Sequence, residues 1–122
     1  MKYILLPVIM IASAAAGYCQ DTAVEKDPAY FIALFTIGER WDTTKQAHEQ
    51  LYFKEHSLHL AELRKAKKID IGGRYGETGM IILKAKDEAE ALSLIANDVA
   101  VKNRLFDVRV FPFGPFYAGC VE

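Results

Sequence analysis

Charge of one sign is what this chain lacks most plainly. Its 15 Lys and Arg residues face 16 Asp and Glu, for a formal net charge of −1. General nucleic-acid binding runs on clustered cations that neutralise phosphates. The only basic concentration here is "RKAKK", residues 64–68. It falls where a helix is expected to end, and cations there oppose the negative end of the helix dipole. No nucleic-acid partner is therefore expected. Cysteine is equally scarce, with only Cys19 and Cys120. If processing removes Cys19, no internal disulfide can form. Cys120 near the end lacks the positive, held environment of a nucleophilic thiol. Repeats and low-complexity segments are absent, and histidine occurs three times, as His48, His56 and His59.

Long apolar runs are confined to one place. "YILLPVIMIASAAA", residues 3–16, follows Lys2 and leads into small residues. A basic start, a short apolar core and a small-residue exit describe a secretory signal peptide. The run falls short of the ~20 apolar residues a membrane span needs. Residues 1–20 are assigned to this signal, with Ala16, Cys19 and Gln20 all defensible as the residue before the cut. The expected product is exported, periplasmic or secreted, with no membrane contact once the signal is removed. Residues 21–28, "DTAVEKDP", read as a flexible leader, 29–117 as one domain, and 118–122 as a tail.

Within the domain, "YFIALFTI" (residues 30–37) is a β-branched and aromatic run of strand length, closed by Gly38. It lacks clean alternation, which suggests a strand buried on both faces or nearly so. Thr43 and Gln46 fit a capping box, which predicts a helix from Thr44 to about Lys67. On that helix Tyr52, Phe53, His56, Leu60 and Leu63 fall within an arc of about 100°, with His56 at its centre. "IDIGG" and "GMIILKA" flank the turn "RYGETG" and read as a hairpin. Asp87 caps a second amphipathic helix, "EAEALSLIA", and Asp98 is placed to cap a further turn. "FDVRVFPF" alternates as a half-buried strand does, with Pro112 at its far end. The order β-α-β-β-α-β predicts an α+β, ferredoxin-like domain: a four-stranded antiparallel sheet with two helices on one face. The uncovered face calls for burial, and pairing of two copies through their sheets is the expected solution.

Several short motifs together resemble the YciI-like (YCII-related) proteins, small ferredoxin-like domains that pair as dimeric α/β barrels. The resemblance covers residues 30–117. It is carried by "GERW" with Gly38 and Trp41, by the helix "EHSLHLAEL", and by "NDVAVKNRLF". His56 stands seventeen residues before Gly73, the spacing of the family's histidine, and His59 does not. The resemblance places the family's aspartate at Asp98. Three positions depart from the family's habit: Val99 and Arg74 stand where proline is usual, and Asn103 where glycine is. The implied chemistry is a His–Asp acid–base or ligand-binding site, and a dehydrochlorinating lyase is one activity in the group.

The residues themselves leave alternatives open. His56 on an inward helix face reads either as a structural histidine satisfied by one hydrogen bond, or as a proton carrier oriented by a carboxylate. Asp98 reads as a cap, as the carboxylate that orients His56, or as both. If the helix starts at Thr44, His56 lies about 18 Å from its start by the 1.5 Å rise, too deep for Asp98 at the sheet rim. Trp41 offers a stacking wall for a small aromatic ligand or a packing residue. Arg40 and Arg74 are candidates for holding a carboxylate, and Tyr52 shares the arc of His56. His56 and His59 are i, i+3 neighbours, but no third ligand completes a zinc site, so neither metal nor cofactor is expected. The function expected is a lyase or isomerase type of proton transfer on a small acidic or aromatic molecule. The alternatives are a non-catalytic ligand-binding module and a structural dimerisation domain.

Overall fold

A computed structural model describes residues 27–117. The signal-peptide and leader assignments, Cys19 and Cys120 lie largely or wholly outside these residues. The elements run β1 (Ala29–Ile37), a 3₁₀ turn (Ala47–Glu49), α1 (Phe53–Lys65), β2 (Ile69–Tyr75), β3 (Thr78–Ala85), α2 (Glu88–Ala96), α3 (Val99–Lys102) and β4 (Phe106–Pro112). The four strands form one antiparallel sheet in the order β2-β3-β1-β4. This is the expected α+β, ferredoxin-like arrangement.

β1 holds the centre because both of its faces carry apolar side chains. Phe31, Ala33 and Phe35 point to the helices and are buried; Ile32 and Leu34 point the other way and are half-buried. The core joins that first set to Ile81, Leu83 and Ala85 of β3, Leu63 of α1, and Ala91 and Ile95 of α2. Both main helices therefore pack on one face. On the other face the register aligns Ile32 with Ile82 and Phe111, and Leu34 with Met80 and Arg109. Ile82 is buried there, whereas Phe111 is exposed.

The helix expected from Thr44 does not begin there. α1 starts nine residues later, at Phe53. Local side-chain bonds occupy the intervening backbone instead. Asp42 Oδ1 accepts from the Thr44 N–H at 2.9 Å and from its hydroxyl. Buried Gln50 accepts from the Asp42 N–H and donates to the carbonyls of Asp42 and Lys45. The capping box exists, but it is built from Gln46 and Glu49 around the 3₁₀ turn. Tyr52 then takes φ +71°, a conformation no interior helical residue adopts, and restarts the chain as the N-cap of α1. Side chains that bond nearby backbone compete with a helix in this way.

α1 closes on a left-handed residue. Lys67 has φ +58°, its N–H reaches the Arg64 carbonyl, and the Lys68 N–H reaches that of Leu63. Glycine usually fills such a position because an L side chain there costs energy. Lys67→Gly is expected to raise the unfolding free energy by about 0.5–1 kcal/mol, read from urea denaturation.

Candidate active site

The late start of α1 decides the geometry of the site. His56 is the fourth residue of the helix rather than one deep along it, about 4.5 Å from the start by the same rise. It therefore lies at the end of the sheet where β1 exits and β4 enters. That rim is stitched by backbone: the Gly38 N–H donates to Leu105 O at 2.8 Å, and the Arg40 N–H to Arg104 O at 3.1 Å. α3 sits against the same end, with Asp98 as its N-cap.

His56 Nδ1 lies 2.5 Å from Asp98 Oδ2, between residues 42 positions apart in the chain. Asp98 is fully buried, and its other oxygen accepts from the Ala100 N–H at 2.9 Å. Capping and orienting thus use separate oxygens of one carboxylate. A buried carboxylate is tolerated only when it is hydrogen-bonded or paired, and here both oxygens are engaged. The carboxylate accepts, so the proton of a neutral His56 resides on Nδ1. Nε2, which bonds to no group among the described residues, keeps its lone pair free.

Aromatic rings enclose the imidazole. Phe106 lies 4.7 Å from it between centroids, Phe35 5.4 Å and Phe53 6.2 Å, and Trp41 continues the wall 5.7 Å from Phe106. Beyond this wall a cavity of about 930 Å³ opens between α1 and the β2–β3 hairpin. His56, Phe35, Trp41, Phe53 and Phe106 all line it. Gly79, which pairs with Phe35 on one side and Arg74 on the other, leaves the floor bare between them.

The six residues selected from sequence separate into two places. His56, Trp41 and Arg74 line the cavity, and Asp98 stands behind His56. Arg40 and Tyr52 instead border a separate depression of about 300 Å³ with Leu51 and Leu105. His59 turns away from His56, its Nε2–H donating to the Leu94 carbonyl at 2.8 Å, so it ties α1 to α2. Among the described residues no group of three or more His, Cys, Asp or Glu side chains could hold a metal ion. Sequence reasoning missed Phe35, Phe106 and Arg64 as cavity residues. Arg64 stands eight residues after His56 on the same helix, which was the available signal.

The loop carrying Trp41 has a titratable latch. The Thr44 hydroxyl, followed by the Thr44 backbone N–H, holds the Asp42 carboxyl below its ordinary range. A carboxyl whose folded pKa is depressed contributes stability above its unfolded value and loses it as pH falls through the folded one. Acid is thus expected to loosen this loop. Trp41 is the sole tryptophan, so its fluorescence should change as pH drops through the acidic range, and Asp42→Asn should remove that step.

Compared with known protein families, characterised proteins and solved structures, the chain finds no match.

Proposed function

We propose that this chain is a YciI-like enzyme that moves a proton on a small molecule, in a lyase or isomerase type of reaction. The observation that carries the reading is the His56–Asp98 contact, made to Nδ1 by a buried carboxylate that is not itself part of the cavity lining. An imidazole held by that bond presents Nε2 as the base, and the protonated ring is then the acid that returns the proton. The carboxylate stabilises the imidazolium formed in between. The aromatic wall excludes water from one side of the ring, which strengthens electrostatic interactions at the reacting atom.

The reading is tested by incubating the protein in D₂O with a panel of small carbon acids and following deuterium incorporation by NMR. Exchange that His56→Gln abolishes supports it. No exchange above that of the variant for any compound defeats it, and leaves the ligand-binding alternative.

Two further parts of the proposal have their own support. A homodimer formed through the open sheet face would cover Ile32, Leu34, Met80, Ile71 and Phe111; sedimentation velocity should then give the mass of two copies. Export rests on the apolar run of residues 3–16, and N-terminal sequencing of the protein recovered from outside the cytoplasm checks it.

A further inference from the structure

Three cations line the cavity beside His56, from three different segments: Lys45, Arg64 and Arg74. Lys45 is engaged by Asp42 at 3.8 Å. Of the two acids on the lining, Asp70 is engaged by Lys84 at 2.5 Å, and Glu77 lies exposed at the tip of the β2–β3 turn. Among the described residues, no carboxylate pairs with Arg64 or Arg74. Two free guanidinium groups against one free carboxylate leave the cavity with an excess of positive charge, although the whole chain is slightly negative.

The placement of these arginines follows from the backbone. Arg74 pairs with Gly79, which pairs with Phe35, so it shares the helix-facing side of the sheet with that phenylalanine. The missing side chain at Gly79 leaves open floor between them. Arg64 lies eight residues beyond His56 on α1, about 12 Å along the axis and about 80° around it. Long helical side chains lean back towards the helix N-terminus, so the exposed Arg64 side chain has the reach to turn towards His56 along the cavity wall. The sequence assigns Arg64 to the helix dipole. That role and a place on the cavity wall coexist.

We infer that the cavity takes a small carboxylate with a planar ring body: the ring lies along the Trp41–Phe106 wall and the carboxylate meets Arg64 and Arg74. This assignment rests on the proton-transfer reading of the same cavity. Guanidinium groups match carboxylates in fork geometry, which gives orientation as well as attraction. An acid so held presents the carbon between ring and carboxylate to Nε2 of His56. Arg64 and Arg74 are then binding and specificity residues, not proton carriers.

Three probes test it: phenylacetate, its neutral counterpart 2-phenylethanol, and acetate, which lacks the ring. Binding is followed by Trp41 fluorescence and by the His56 ring resonances. Phenylacetate should bind at least about tenfold more tightly than either of the others, and added salt should weaken it. Arg64→Met and Arg74→Met, which keep much of the apolar stem, should each weaken phenylacetate by about tenfold and leave 2-phenylethanol unchanged. Their melting temperatures check folding. Equal affinity for the acid and the alcohol, no binding of phenylacetate, or full affinity in both variants overturns the assignment.

His56→Gln separates this inference from the reaction. It should retain the preference for the acid while abolishing deuterium exchange. Exchange by the wild type on neutral carbon acids, with no preference for anions, would sink the anion assignment and leave the proton-transfer reading standing.

Discussion

Asp98→Ala is expected to lower the unfolding free energy by about 3 kcal/mol and to silence His56. The stability loss has two sources. The Ala100 N–H loses its cap, worth about 1 kcal/mol, and His56 Nδ1 is left without a partner in an apolar wall, at about 1–3 kcal/mol. Urea denaturation reads the sum. Asp98→Asn separates folding from chemistry. The amide oxygen can still cap Ala100, but the amide nitrogen faces Nδ1 as a donor. His56 must then carry its proton on Nε2, leaving no lone pair towards the cavity. Any deuterium exchange should fall by about 10²–10⁴-fold, the usual worth of a positioned acid–base group, for a smaller loss of stability than with alanine. Nitrogen-15 NMR of the ring reports the tautomer directly. If His56 remains protonated on Nδ1 in the Asp98→Asn variant, the role given to this carboxylate is contradicted.

Gly38→Ala should be nearly as damaging, for a reason unrelated to glycine's flexibility. A Cβ built on Gly38 would lie 2.2 Å from the Arg104 carbonyl oxygen and 2.8 Å from its carbon. Both are backbone atoms: the Arg104 carbonyl accepts from the Arg40 N–H and the next carbonyl, that of Leu105, accepts from the Gly38 N–H, so this stretch cannot swing aside. Arg104 itself is pinned at φ +57°, with its N–H on Val101 O and the Leu105 N–H on Ala100 O. Room for a methyl group requires β1 and the α3–β4 junction to part. The expected cost is about 3 kcal/mol, at the upper end for overpacking. Because Asp98 begins α3, the shift also moves it relative to His56. Thermal unfolding measures the first effect, and the nitrogen-15 signature of the His56–Asp98 bond measures the second. A variant of wild-type stability with that signature unchanged would refute the account.

Gly38 also shows how much of the fold was legible beforehand. Its place at the end of an apolar run marked a strand boundary, but the reason for a glycine there is a carbonyl 66 residues later in the chain. Strand identities were readable because β-branched and aromatic runs between turn residues favour few alternatives. The start of α1 was not readable in the same way. Thr43 and Gln46 satisfy a local pattern, yet Gln50 bonds back to Asp42 and Lys45 and holds that stretch as a loop. A capping motif describes one helix end; it carries no information about a side chain several residues on that claims the same backbone groups. The nine-residue displacement is what brings His56 to the rim.

The division of Arg40 and Tyr52 from Trp41 and Arg74 has a similar origin. Neighbouring loop residues 40 and 41 point to different cavities, and sequence proximity says nothing about which. Helical periodicity placed Tyr52 on the arc of His56, but Tyr52 is not inside the helix. Its φ of +71° takes it off the 100° progression on which that arc was drawn.

Sequence alone determined the element order and the four-stranded α+β architecture, because apolar periodicity is a local property. Tertiary structure decided where α1 begins, that one buried carboxylate of α3 both caps its helix and holds His56, and that Arg64 and Arg74 share a cavity with that histidine. Each of these depends on groups far apart in the chain, whose meeting is set by the sheet register and by competition for backbone hydrogen bonds rather than by any residue's neighbours.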